Sequence, residues 1–214
     1  MARVHGMNDI LEFPPVMAKA DDQITLHLLQ AISDDSSLTQ RFAAKRLGVA
    51  VGLVNSYLRR CVKKGHVKIT QIPPNRYLYY LTPSGFAEKS RLSADYLLGS
   101  LTFYRNARRE CEELLARCAQ NGWRRVGLAG VGDLAEIATL CFHQSEAELA
   151  GVIDPRSSQT SFLGHPVVAD VHGLEPLDAV LLTDLTDPQA TFSELRSQMP
   201  AVRILVPAIL CLPS

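Results

Sequence analysis

From Asp21 onward the apolar positions fall into short, regular runs. Ile24, Leu28, Leu29 and Ile32 recur at helical spacing, which predicts an amphipathic helix opened by Asp21-Asp22 and ending near Ser33. Ser37-x-x-Gln40 has the form of a capping box and predicts a second helix over residues 38–47, stopped by Gly48. A third helix is predicted from about Ala50 to Lys64, with Val51, Val54, Leu58 and Val62 as its apolar face and Gly65 as its stop. Two short strands follow, residues 66–71 and 77–81, on either side of Pro73-Pro74-Asn75-Arg76. After Pro83 no proline occurs until Pro155, and the pattern as far as about Asn121 is helical. Positions 97, 101, 104, 108, 111, 115 and 118 alternate spacings of four and three, a seam broken only by Arg108.

Beyond Asn121 the period changes. An apolar strand leads to Gly130-x-Gly132-x-x-Ala135, which opens a helix, and a second apolar strand ends at Asp154. A turn at residues 162–168, a buried strand at 179–183, a helix from about Pro188 and a last strand at 203–206 complete the chain. Alternating strands and helices imply a small parallel sheet with helices on its faces. The fold class expected is therefore α/β with two domains. A loose arm occupies residues 1–20 and a winged helix-turn-helix residues 21–90. A connecting or dimerisation helix spans residues 91–121, and a Rossmann-like domain residues 122–214.

Charge sharpens this division. The 214 residues hold 22 basic and 22 acidic side chains. Residues 36–110 nevertheless carry 14 Lys and Arg against 3 Asp and Glu, whereas residues 111–214 carry 6 against 13. A basic first half beside an acidic second half points to double-stranded DNA as the partner of one domain only. On the third helix, Asn55 can pair bidentately with adenine, and Ser56 lies beside it. Arg59 can reach guanine or a phosphate. Arg60, Lys63, Lys64, Lys68 and the wing residue Arg76 are expected to clamp phosphates, contacts that supply affinity and salt dependence but no sequence information.

Three stretches, Gly52-Leu-Val-Asn55-Ser-Tyr-Leu58, Lys64-Gly65-His-Val-Lys68 and Arg76-Tyr-Leu-Tyr-Tyr-Leu-Thr-Pro-Ser-Gly-Phe-Ala-Glu-Lys-Ser-Arg91, give the first half a family likeness. It resembles the winged-helix MarR-type regulators associated with exopolysaccharide gene clusters, over about residues 22–95, and departs from their pattern at Ala50 and Leu53. The resemblance implies a bacterial transcription factor, and more loosely a link to surface-polysaccharide genes. Such regulators usually read paired half-sites, so a homodimer is expected, with the helical seam packing either on its own domain or on a second copy.

In the second half, the two glycines would allow a tight turn and close approach of backbone to a pyrophosphate, and Asp154 would read a ribose hydroxyl. Asp133 at the mouth of the helix would repel a phosphate unless it caps the helix. Arg156 could stack on a base or hold a phosphate, and Thr183, which ends the strand at 179–183, is a further candidate ligand-binding residue. Domain order, length and this glycine turn are similar in layout to redox-sensing repressors of the Rex type. The FxGxPV segment looks like the nucleotide folds of sugar-nucleotide enzymes. NAD(H) and a nucleotide sugar are both candidate effectors; the alternatives are a glycine turn kept for packing alone, in a structural or protein-binding domain, and, behind it, an enzyme acting on a nucleotide substrate.

Catalysis is not expected. No lysine follows Lys89 and no tyrosine follows Tyr104, which removes a Tyr-Lys relay, a Schiff-base lysine and a P-loop lysine from this half. Cys141, His143, His165 and His172 have no spacing of a metal set, and no metal is expected. The five cysteines include no CxxC, and the first residues lack a charged-then-apolar leader, so reduced thiols and a cytoplasmic location are expected. The longest apolar run, residues 204–212, contains Pro207 and falls well short of the roughly 20 residues that span a bilayer.

Overall fold

The computed structural model describes residues 20–73 and 76–212, so the arm expected over residues 1–20 lies outside the described residues apart from Ala20, as do Pro74 and Asn75 at the wing tip. The chain divides into two compact units between Leu101 and Thr102.

The first unit contains helices α1 (Ala20–Asp34), α2 (Gln40–Leu47) and α3 (Val51–Lys63), then strands β1 (Val67–Ile72) and β2 (Arg76–Leu81), and the start of α4 (Pro83–Gln120). Its core joins Leu28, Leu29 and Ile32 of α1, Ala43 and Ala44 of α2, Val54 and Leu58 of α3, and Val67 and Tyr79 of the hairpin. The antiparallel hairpin pairs Val67 with Leu81 and Ile72 with Arg76. The start of α2 differs from the capping box expected at Ser37. Thr39 is the cap, accepting a hydrogen bond from the Phe42 amide at 3.2 Å, while the Ser37 amide and hydroxyl both bond to Asp35. A serine two residues nearer an aspartate finds a local partner first, which frees Thr39 for the helix end.

The Thr82-Pro83-Ser84-Gly85 sequence explains how the hairpin turns into α4. The Thr82 hydroxyl accepts the Gly85 amide at 3.0 Å and donates to the Gly65 carbonyl at 2.5 Å, so it caps α4 and ties it to the end of α3. Pro83 occupies the first helical position, where a missing N–H costs nothing. Gly85 is buried, and a Cβ there would lie 2.0 Å from the His66 carbonyl oxygen. Only glycine permits that approach.

The second unit holds the rest of α4, then β3 (Arg125–Ala129), α5 (Asp133–Phe142), β4 (Glu148–Ile153), β5 (Ser161–Phe162), β6 (His165–Val168), β7 (Ala179–Leu182), α6 (Pro188–Gln198) and β8 (Ile204–Leu205). The six strands lie in the order β5-β6-β4-β3-β7-β8. All neighbours from β6 to β8 are parallel, but β5 pairs antiparallel with β6 through a two-residue turn at Leu163-Gly164. The sheet is therefore mixed, where a wholly parallel one was expected. Leu163 and Gly164 both have positive φ, the conformation a tight two-residue hairpin requires. The central strands β3 and β7 are almost wholly buried, as strands covered on both faces must be.

The division at Leu101 falls inside α4, in place of a separate connecting segment over residues 91–121. Leu92 and Tyr96 belong to the first core, whereas Ala107, Cys111, Leu114, Leu115 and Cys118 belong to the second. The C-terminal part of the expected seam thus packs within its own unit. Leu97, Leu98 and Leu101 remain 58%, 63% and 40% exposed. Gly99-Ser100 does not break the helix; the Ser100 hydroxyl donates to the Tyr96 carbonyl at 3.0 Å. No helix among the described residues is long and apolar enough to cross a membrane.

Replacing Gly85 by Ala forces the first turn of α4 away from His66. The expected loss is roughly 1–3 kcal/mol, the cost of overpacking. Thermal unfolding of G85A followed by circular dichroism checks it, and an unchanged midpoint would refute the close approach.

Candidate DNA interface and nucleotide crevice

Helix α3 follows α2 through Gly48, whose amide closes the end of α2 on the Ala44 and Lys45 carbonyls. Its inward face is Val54, Tyr57, Leu58 and Cys61. The face expected from Val51, Val54, Leu58 and Val62 is thus rotated, with Val51 42% and Val62 37% exposed. The reason lies on α1. The Tyr57 hydroxyl donates a short hydrogen bond to the Asp21 carboxylate, and Tyr57 and Cys61 are both buried in the core that α1 shares. The bond to Asp21, ahead of burial, raises the Tyr57 hydroxyl pKa above its ordinary value. Burial likewise pushes the Cys61 thiol up.

This rotation sets what α3 presents outward. Gly52, Ser56, Arg59 and Lys63, spaced by four, three and four residues, are exposed together, and Asn55 stands half-buried at their edge. Arg60 stands apart. Its guanidinium bonds to the Asp21 carboxylate at 2.8 Å and lies 4.7 Å from the centre of the Tyr57 ring. The cation expected to clamp a phosphate is already paired and braces α3 against α1.

Lys64, at the C-terminal cap of α3, borders a polar cavity of about 240 Å³ with Asp21, Arg60, His66 and Glu88. On the hairpin, residues paired across the strands share a face. Lys68 pairs with Tyr80 and Arg76 with Ile72, so these four stand on the side opposite buried Val67 and Tyr79. Tyr80, 43% exposed, is a site candidate the sequence reading missed. Strand alternation from buried Tyr79 carries the signal for it.

In the second unit the chain leaves β3 toward β4 on one side and leaves β7 toward β8 on the other. The carboxyl ends of β3 and β7 therefore flank a point where the strand order reverses, the usual place for a ligand crevice in an α/β sheet. Gly130, Gly132, Asp154, Arg156 and Thr183 all meet here. A Cβ on Gly130 would lie 2.6–2.8 Å from the backbone and Cβ of Asp184, and its φ is 100°, so both packing and backbone conformation demand glycine here. Gly132 has φ 153° and open space where its Cβ would be. Asp133 is exposed in the first turn of α5 and does not cap it; the cap position is Gly132, with no side-chain hydrogen bond.

The polar groups of the crevice pair with one another. The two Asp154 oxygens accept the Val131 and Arg156 amides, each at 3.0 Å. The carboxylate expected to read a ribose instead bridges the glycine turn to its own loop. The Arg156 guanidinium makes a short bond to Asp184 and one of 3.0 Å to the Thr191 hydroxyl. Asp184 also accepts from the Thr191 hydroxyl at 2.6 Å and from the Thr186 and Asp187 amides at 2.8 and 3.2 Å. Burial raises the Asp184 carboxyl, but the bonds from Thr191, Arg156 and these amides outweigh it and leave it below the usual carboxylate range. Thr183 bonds through its hydroxyl to the Gly130 carbonyl at 2.7 Å. Asp184 and Thr191 had no sequence signal, since they pair with Arg156 from 28 and 35 residues away. Among the described residues, no group of three or more His, Cys, Asp and Glu side chains is placed to hold a metal ion.

Residues 21–68 match the family described as winged helix-turn-helix DNA-binding. No curated protein matches the chain. Among solved structures it is similar in part to the PcaV transcriptional regulator from Streptomyces coelicolor in complex with its natural ligand. That match has 22% identity and a TM-score of 0.35, over 37% of this chain and 57% of that one. The S. aureus MepR-DNA complex matches at 24% identity and a TM-score of 0.34, over 40% and 62%. PigF with SAH matches at 16% identity and a TM-score of 0.26, over 76% and 61%. The chain spans less than two thirds of the length of each of these structures. The first unit thus carries a winged helix of the DNA-binding kind, joined to a second, α/β unit.

A depressed Asp184 contributes stability that is fully present above the ordinary carboxyl pKa, about 3.9, and is lost as pH falls through its lower folded value. Asp184→Asn leaves Arg156 without its anion and should cost about 1–3 kcal/mol at neutral pH, less in acid. Unfolding midpoints of both proteins between neutrality and pH 2 check this; a deficit that does not shrink in acid would contradict it.

Proposed function

We propose that this chain is a cytoplasmic, homodimeric transcriptional regulator of the MarR type. Its winged helix binds an operator, and its second unit, a Rossmann-like fold, senses a nucleotide-containing metabolite. The observation that carries the DNA reading is the outward face of α3. Ser56, Arg59 and Lys63 stand exposed there, with Asn55 at the edge, on the helix that a winged helix-turn-helix lays in the major groove. Asn55 and Arg59 are the base readers. Lys63, Lys64, Lys68 and Arg76 hold phosphates, and Tyr80 beside Lys68 extends that surface along the wing. Arg60 supports this face through Asp21 and contributes field more than contact. Exposed Leu97, Leu98 and Leu101 favour a second copy along α4. The resemblance to exopolysaccharide-cluster regulators makes surface-polysaccharide genes the proposed targets.

The sensing role draws on the strand order around β3, the glycine turn at its carboxyl end and the open side of Gly132. NAD(H) or a nucleotide sugar is the proposed effector. Binding requires exchange of existing bonds: a ribose must take Asp154 from the Val131 amide, and a phosphate must take Arg156 from Asp184. The anionic set of Asp154, Asp184 and Asp187 around one arginine favours a ligand that offers hydroxyl donors over one that offers only phosphate. A second reading has its own support. Gly130 is required for packing, and Asp154, Arg156, Thr183 and Asp184 are satisfied without a ligand, as a purely structural or protein-binding unit would have them. Neither reading assigns an enzymatic activity.

Selection from a randomised duplex library should recover one sequence class, and recovery of none would refute operator binding. On that duplex, Lys63→Ala should weaken binding and flatten the log–log salt dependence by about 0.9, the loss of one phosphate contact. Arg59→Ala should in addition relax the base preference, while Arg60→Ala should change the salt slope least.

For the second unit, thermal unfolding in NAD, NADH and nucleotide sugars separates the readings. An effector at about 100 times its dissociation constant stabilises the unit it binds by roughly 2.7 kcal/mol, and Gly132→Val should remove that shift. A shift that survives G132V would exclude the crevice, and a flat panel would favour the ligand-free reading.

A further inference from the structure

The first turn of α3 differs from the turns that follow it. Along the outward row of Gly52, Ser56, Arg59 and Lys63, three positions carry hydrogen-bond donors and the first carries no side chain. On either side of Gly52 stand Val51 and Leu53, 42% and 40% exposed. Val51 lies one turn before Asn55, and Leu53 lies three residues before Ser56 on the other flank. The turn is closed without a side-chain cap, because the Leu53 and Val54 amides share the Ala50 carbonyl at 3.0 and 3.2 Å. The backbone is therefore held, while both apolar side chains are left to solvent.

Nothing inside the unit calls for glycine at position 52. Its backbone is helical, and a Cβ would meet no atom within 4 Å. Glycine makes a helix less stable than alanine does, so neither packing nor conformation accounts for it. On an exposed helix face, glycine does let another molecule approach the backbone closely. The result is a shallow apolar notch, with Gly52 at its base and Val51 and Leu53 at its sides, one turn from Asn55. The surface around it is basic. Arg59 and Lys63 follow on the same helix, and residues 36–110 carry 14 Lys and Arg against 3 Asp and Glu. Such a notch suits a polyanion that offers an isolated apolar group. In the major groove of DNA one base-edge group is of that kind, the C5-methyl of thymine.

We infer, on the DNA reading proposed above, that Val51, Gly52 and Leu53 receive a thymine methyl and so fix a thymine in the operator beside the base that Asn55 contacts. The N-terminal residues of a recognition helix are the ones that meet base edges. Bare Gly52 lets the helix come close to the groove floor, and the two branched side chains enclose the methyl. Val51 has little χ1 freedom to lose on contact. The row of Val51, Asn55 and Arg59 then offers an apolar group, an amide and a guanidinium in turn, matched to a thymine methyl, adenine, and guanine or phosphate. The notch makes no phosphate contact, so it contributes base preference and leaves salt dependence to the cations.

The test uses the full chain and the duplex recovered by selection, with each thymine replaced in turn by deoxyuridine, which lacks only the methyl group. Fluorescence anisotropy should find a position in the half-site where affinity falls about fourfold, the transfer value of one buried methyl group. In a Val51→Ala, Leu53→Ala double variant, thymine and deoxyuridine should bind alike at that position, with an unchanged salt slope. Should that variant not fold or not bind, the scan of the unsubstituted protein decides alone. Gly52→Ala should weaken operator binding without lowering the unfolding midpoint, and undiminished affinity would overturn the close approach. The inference is overturned if no deoxyuridine lowers the affinity, or if the loss persists in the double variant. A double variant that keeps its thymine preference but changes oligomeric state assigns the pair to a protein contact and overturns it too. Recovery of no operator refutes the DNA reading together with this inference, whereas an operator indifferent to deoxyuridine refutes this inference alone.

Discussion

Helix α4 has to serve two cores, and most of the structure follows from how it is held at its start. Thr82 caps it, Pro83 opens it, and Gly85 lets it lie against the His66 carbonyl, so the first turn is fixed to both the end of α3 and the base of the hairpin. With that turn in place, Leu92 and Tyr96 reach the first core, and further along the helix Ala107 begins the face that fills the second. Between them the helix carries Leu97, Leu98 and Leu101 on its surface. Each core is completed by residues of a helix that the other core also needs.

The same economy governs charge in the first unit. Asp21 accepts from both Tyr57 and Arg60, so one carboxylate fixes the rotation of α3 and neutralises one of its cations. What remains exposed is a set of uncommitted donors, Ser56, Arg59 and Lys63, on a surface whose basic balance comes from residues 36–110. An uncommitted donor on a rigid helix loses little entropy on meeting a polyanion, whereas a cation already paired must first give up its partner.

In the second unit the balance is reversed. Its crevice holds polar groups that satisfy one another, and the glycine turn is held from both sides, by Asp154 at Val131 and by Asp184 against Gly130. A closed network of charge-assisted bonds of this kind fixes the loops at the carboxyl ends of the strands.

Element order, the basic middle and acidic C-terminal half, and the glycine turn before Asp154 were legible from the chain, because each rests on local periodicity, turn chemistry or composition. The rotation of α3 was not. Val51, Val54, Leu58 and Val62 fit a helical period as well as Val54, Tyr57, Leu58 and Cys61 do, and the choice between them lay in packing against the residues of α1, α2 and the hairpin that share the core. The roles of Asp154 and Arg156 were hidden for the same reason. A sequence shows which groups can bond, but in a folded unit the partner is whichever group the sheet brings within 3 Å. For Arg156 that was Asp184, just past the end of β7 on the far side of β3, and Thr191 on α6. Local physics set the elements and their order; long-range pairing alone decided which charges stayed free to act.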